Sequence, residues 1–203
     1  MSEQILEREP TEEGRGGVRE RLFGQLCRHL TKATPDHVFV IGPRLSGKSV
    51  MLKHLASHFP RGHFVGSLYW DFRYGTPRTD AEFRSQFAER LRVAVKHARP
   101  DLAGDLEPGD EAVSDLLFYA LDELHRDGAR VLAVLDGFDR LLRDSEITRN
   151  LWDELRTLAQ TGGLCLVTGS RARLYDLCKN DESRTSTFWQ IFHDPPFQVI
   201  ALL

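Results

Sequence analysis

Between Gly42 and Ser49 the chain reads GPRLSGKS, and its two glycines, lysine and serine fit the spacing G-x-x-x-x-G-K-[ST]. These residue types suit a polyphosphate, which presents several adjacent anionic oxygens best met by a ring of backbone N–H groups. Gly42 and Gly47 permit such a ring because glycine tolerates positive φ and close approach of the backbone. Pro43, Arg44, Leu45 and Ser46 complete the loop, which opens onto a helix expected from Lys48, whose N-terminal partial charge adds to the attraction. Lys48 is expected to reach the β- and γ-phosphates, and the hydroxyl of Ser49 to ligate Mg²⁺.

A second group of candidates lies in VLAVLDGFDRLL. Asp136 ends an apolar run, where it can hold Mg²⁺ opposite Ser49, and Asp139 follows three residues later. Strand-terminal aspartates also cap helices, so neither acid says much alone. After a phosphate loop, however, they stand in the order that ATP hydrolysis requires. No NKxD guanine reader is present, since KNDE at Lys179 has the wrong order, and no LSGGQ signature of transporter ATPases appears. Adenine is therefore favoured.

Positioning these residues takes a particular architecture. Val18–Leu30 spaces apolar residues as an amphipathic helix, His37–Gly42 reads as a buried strand, and Lys48–His58 as the helix after it. His63–Phe72 is an aromatic and β-branched strand; Thr79 and Glu82 form a helix start for a segment running to about His97. Arg99–Gly109, with two prolines and two glycines, reads as a loop, and Glu111–Arg126 as a helix. ARVLAVLD (strand), a helix over Ile147–Gln160, GLCLVTGS (strand), a helical segment from Arg171 and FQVIALL (strand) complete the order. Strands alternating with helices predict an α/β, three-layer fold: a parallel five-stranded sheet flanked by helices, with ligands beyond the carboxyl ends of the strands. The strand between the two motifs fits the additional-strand (ASCE) branch of phosphate-loop NTPases. Residues 1–17 are expected to be a mobile N-terminal segment and 18–203 the core. The chain is read as a piece of a longer protein, cut before a C-terminal lid or winged helix.

The 203 residues carry a net charge of −3, so no global basic field draws the chain to nucleic acid or an anionic membrane. Its apolar runs are too short for a bilayer-spanning helix, and the acidic N-terminus has no signal-peptide core. The expected compartment is cytoplasmic. Cys27, Cys165 and Cys178 form no CxxC pair and read as reduced, mostly structural thiols.

In GPRLSGKS, VLAVLDGFD and LCLVTGSR the sequence resembles the STAND branch of the AAA+-related phosphate-loop ATPases. A small residue after the metal-binding aspartate, here Gly137, with an acid at the third position, here Asp139, is similar to the NACHT type of motif. Many related ATPases carry Glu where Gly137 stands, and NACHT members often carry an acid where Arg140 stands. The resemblance implies that TGSR at Thr168–Arg171 is the sensor-1 segment, with Arg171 or Ser170 sensing the γ-phosphate. It implies an ATP- and Mg²⁺-binding switch that hydrolyses slowly within a larger regulatory or defence protein. Asp136 and Ser49 would hold the metal and Asp139 would position or deprotonate the water. The alternatives are an origin-recognition or DNA-remodelling AAA+ ATPase, of whose GRxxE lead-in GRGGV at Gly14–Val18 is a faint likeness, and a nucleotide-binding scaffold with degenerate hydrolysis. Partners expected are ATP and either further copies or other domains of the same chain; nucleic acid stays open without being indicated.

Three further features read as structural. His54 and His58 have zinc-binding spacing but no third ligand nearby, and Arg90, Arg92, Lys96 and Arg99 suit a solvated helix face. Asp71 reads as a turn cap at the end of its strand.

Overall fold

The computed structural model describes residues 12–106, 113–143, 146–173, 176 and 186–199. Every residue of β3 (Val131–Asp136) and β4 (Leu164–Ser170) is buried, as only strands covered on both faces are. The two-residue period then divides each strand between two cores. Val131, Ala133 and Leu135 join one apolar cluster with Leu164 and Leu166, while Leu132 and Val134 join the other with Cys165 and Val167. With β1 (Val38–Ile41), β2 (Gly66–Asp71) and β5 (Phe197–Gln198) they form a wholly parallel five-stranded sheet in the order β2-β3-β4-β1-β5.

One face is covered by α1 (Glu12–Leu30) and α2 (Lys48–Ser57), which contribute Leu26, Leu30, Met51, Leu52 and Leu55. The other is covered by α3 (Asp80–Val95), α4 (Pro100–Asp105), α5 (Val113–Arg126), α6 (Phe138–Leu141), α7 (Arg149–Gln160) and a 3-10 turn at Phe188–Ile191. In α3 the stripe Phe83, Phe87, Leu91, Val95, at helical spacing in the sequence, is buried, each phenylalanine stabilising the fold by about 2 kcal/mol. The helix starts as Thr79 predicts: its hydroxyl accepts from Glu82 N, while the Glu82 carboxylate accepts from Arg78 N at 2.7 Å, one residue before the cap. Thr148 caps α7 and also donates to Asp80 at 2.6 Å, tying the starts of two helices together.

Several expectations are corrected. The strand between the two motif strands is β4; β2, which lies between them in sequence, sits at the sheet edge. The additional-strand class stands, but the sheet order comes from long-range pairing that sequence order does not reveal. Helix α1 begins at Glu12 rather than Val18. Part of the expected loop after Arg99 is α4, which Pro100 opens and which buries Leu102 and Ala103. The short α6 and the 3-10 turn were not expected. Residues 171–173 are not helical, and the rest of that expected helix lies mostly outside the described residues, as do Cys178, Lys179, Glu111 and Ile200–Leu203 of the last expected strand. Cys27 and Cys165 are free thiols. No described helix is long and apolar enough to cross a membrane.

His37 leads into β1 with its Nδ1 accepting from Leu166 N at 3.1 Å. Burial pushes its pKa from 6.5 down to about 4, because protonation would charge a desolvated ring and aim an N–H at another N–H. The folded pKa lies below the unfolded one, so the stabilisation is complete above pH 6.5 and is lost as pH falls toward 4. Urea unfolding at stepped pH should show a loss of about 3 kcal/mol over that interval. His37→Gln, which keeps an acceptor without the titration, should flatten it, and an unchanged slope in that variant would place the titration elsewhere.

Candidate functional site

The sheet delivers its chemistry at one edge. Gly42 follows β1, Asp71 ends β2, Asp136 ends β3 and Arg171 follows β4. Gly42 N donates to Ser170 O at 3.2 Å, joining the phosphate loop to the end of β4. A Cβ on Gly42 would lie 2.6 Å from Val199 O, so close approach is what requires glycine there. Positive φ is the requirement at Gly47 (φ 81), where α2 begins. Leu45 also has positive φ, 63°, and its side chain is fully exposed; a β-carbon in that region costs about 1–2 kcal/mol. Lys48 is buried and Ser49 half-buried. Burial lowers the lysine pKa, an effect that the charges of Asp136 and Asp139 oppose.

Asp136 is 1% exposed and its carboxylate is satisfied by the protein. Tyr69 Oη donates to Oδ2 at 3.0 Å, Gly137 N to Oδ1 at 2.9 Å, and Arg73 Nη2 approaches Oδ2 at 3.4 Å. Burial and the Asp136 charge push the Tyr69 pKa up, so its proton stays on as a donor. Gly169 makes room: a Cβ there would lie 2.9 Å from Asp136 Oδ1 and 2.4 Å from Leu52 Cδ1. Asp71 is both turn cap and site residue. It accepts from Arg73 N at 2.9 Å and is clamped by the Arg73 guanidinium at 2.5–3.0 Å. Burial raises its pKa, but the hydrogen bonds from Arg73 outweigh that and hold it below the usual range.

Asp139, 4% exposed, and Arg171 meet directly: Nε and Nη2 both lie 2.6 Å from Oδ2. Ser170 Oγ instead donates to Ala172 O, so within the TGSR segment it is Arg171 that reaches the acids. Tyr69 and Arg73 escaped the sequence reading. Tyr69 and Asp71 alternate on β2 and so share a face of the strand, while Arg73 folds back from the turn that follows it; that pattern becomes interpretable only once β2 is known to neighbour β3.

Lys48, Arg73 and Arg171 thus converge with Asp71, Asp136 and Asp139. Ser46 Oγ is buried without a hydrogen-bond partner among the described residues, a cost a bound acceptor or donor would relieve. That orphan, together with the hard oxygen donors of Ser49 and Asp136, fits a phosphate and Mg²⁺. The three arginines of the basic stretch at the end of α3 and start of α4 are engaged within the fold. Arg90 lies over the Trp70 ring at 4.3 Å, Arg92 pairs with Glu89, and Arg99 with Asp101 and Asp127.

The family model described as AAA ATPase domain matches residues 14–167. No curated protein matches the chain. Cdc6p from Pyrobaculum aerophilum is similar at 15% identity and a TM-score of 0.58, covering 98% of this chain and 48% of that one. The Aeropyrum pernix ORC2 protein in ADPNP–ADP complexes gives 15% and 0.60, over 98% and 50%. A. pernix ORC1 in complex with DNA gives 19% and 0.56, over 89% and 44%. At these identities the likeness is one of fold, and the chain spans about half the length of these structures.

Gly137 holds φ 71 and ψ 28 at the start of α6. A glutamate at 137, where many related ATPases carry one, therefore has to enter the left-handed region. Gly137→Glu should lower stability by about 1–2 kcal/mol, read as a reduced urea midpoint; an unchanged midpoint would mean that the turn relaxes freely.

Proposed function

This chain belongs to the family of AAA ATPase domains, and on that premise we propose that its site binds MgATP and hydrolyses the terminal phosphate slowly. The observation that carries the reading is the convergence of a buried lysine, a buried strand-end carboxylate and the orphan Ser46 hydroxyl on one sheet edge. In this reading the amides of Gly42–Ser49 and the Lys48 ammonium bind the β- and γ-phosphates. Ser49 and Asp136 would hold Mg²⁺, which would supply positive charge to offset that of the phosphate. Tyr69 and Gly137 N fix the Asp136 carboxylate, leaving its remaining lone pairs for the ion's ligand sphere.

Asp139 orients the attacking water and takes its proton. Arg171 already sits on Asp139 Oδ2, so it is placed to follow charge as it develops on the γ-phosphate, exchanging part of its bond to the acid for phosphate oxygens. The slow rate follows from Gly137, which leaves the position after Asp136 without a carboxylate.

Of the wider roles, the origin-recognition or DNA-remodelling reading has the better support, because the fold neighbours include Cdc6 and ORC proteins, one of them in complex with DNA. The STAND-like switch rests on the Gly137 and Asp139 pattern and stands second. Turnover that rises when DNA is added would favour the first, and turnover indifferent to DNA the second.

Lys48→Ala should weaken ATP binding by roughly a hundredfold or more in calorimetry. Asp139→Asn should leave affinity nearly unchanged and lower turnover by roughly a hundredfold. Undiminished affinity in the first variant, or wild-type turnover in the second, assigns those roles to other residues.

A further inference from the structure

Away from the phosphate loop, three potential metal ligands meet where the end of α1, the segment before β1 and the segment before β5 come together. Among the described residues, His29, Asp36 and His193 are the one group of at least three such side chains whose ligand atoms all lie within 4.8 Å of one another. His29 Nδ1 is 2.5 Å from Asp36 Oδ2 and His193 Nδ1 is 4.0 Å from the same oxygen. The two imidazoles lie with ring centroids 4.3 Å apart, tilted by 45°. We infer that these residues form a binding site for a divalent transition ion of the zinc class, held by two imidazole nitrogens and one carboxylate oxygen.

The donor set suits that class, since imidazole and carboxylate together are common zinc ligands and three protein ligands leave a position for water. Tetrahedral coordination at zinc bond lengths places neighbouring donors about 3.3 Å apart. The observed 2.5 and 4.0 Å straddle that value and the third pair lies within 4.8 Å, so side-chain adjustments of about 1–1.5 Å bring the donors to it. The backbone under the ligands is already fixed: Asp36 N donates to His29 O at 3.2 Å and His193 N to His37 O at 2.7 Å. The three side chains are 23%, 26% and 32% exposed, reachable from solvent yet confined. Beside them opens a cavity of about 440 Å³, lined in part by Gln25, Pro195 and Phe197, with room for the waters that complete the coordination shell.

Lys32 supplies a second argument. Its ammonium lies 2.6 Å from Asp36 Oδ2, so that oxygen already draws a cation. The lysine is about half exposed on a flexible stem, and a divalent ion that gains two imidazoles besides the carboxylate displaces it. The ion would tie α1 and the approach to β1 to the segment before β5. That strand pairs with β1 over two residues, and Val199 beyond it packs against Gly42. The site therefore braces the strand that walls the phosphate loop.

The test is calorimetric titration of Zn²⁺ into the chelator-treated protein with Mg²⁺ in excess, with Co²⁺ absorption as a report on coordination geometry. One ion per chain should bind, raising the melting temperature. Affinity should fall by roughly tenfold or more in His29→Ala and in His193→Ala and rise in Lys32→Ala. His193→Gln, checked by circular dichroism for an intact fold, separates lost ligation from lost structure and should also bind weakly. Absence of saturable binding, or wild-type affinity in the folded His193→Gln variant, overturns the proposal. So does an ion whose binding is lost in His54→Ala or Asp136→Asn while His193→Ala keeps it.

Discussion

A carboxylate held out of water at the end of β3 sets the terms for the structure around it. An ionised group in that position costs several kcal/mol unless hydrogen bonds and opposite charge replace its lost hydration. Asp136 gets both, from Tyr69 Oη, Gly137 N and Arg73, with Lys48 buried nearby. These groups depend on separate parts of the fold. Tyr69 and Arg73 arrive because β2 pairs with β3 in a register that sets Asp71 beside Asp136. Space for the carboxylate exists because Gly169, its partner on β4, has no side chain. Lys48 arrives because β1 lies beyond β4 and its loop turns onto α2.

The same edge contains two acid–arginine pairs, Asp71 with Arg73 and Asp139 with Arg171. Together with Asp136 and Lys48 they bring equal numbers of formal charges to one place. A polyphosphate entering such a site meets arginines that already have partners, so its binding is an exchange of ion pairs more than a simple capture. Exchange lets a γ-phosphate be felt at Arg171 and, through it, at the acid proposed to handle the attacking water. The fold class hosts many activities, so what distinguishes this chain has to be sought in such local pairings rather than in the sheet.

Much of this was legible in the chain because it is local. The phosphate loop, the apolar run ending in Asp136, the Thr79 cap and the Phe83–Val95 stripe each show their physics within a few residues. Long-range pairing is what escaped. Nothing near Leu164–Ser170 says that this strand inserts between β1 and β3, and the position of Arg73 over Asp136 follows only from that order of strands. Propensity misled at two points. Gly16 and Gly17 argue against a helix at about 1 kcal/mol each, yet α1 runs through them from Glu12. The prolines and glycines after Arg99 suggested a loop, but Pro100 opens α4 and burial of Leu102 and Ala103 completes it.

In the proposed reading Asp136 is poised for a metal ion that ATP brings to the phosphate loop. ATP affinity measured with and without Mg²⁺, in the wild type and in Asp136→Asn, addresses it most directly. Mg²⁺ should tighten binding to the wild type, whereas the variant should keep its metal-free affinity and gain little or nothing from the ion. Equal tightening by Mg²⁺ in both proteins would contradict it.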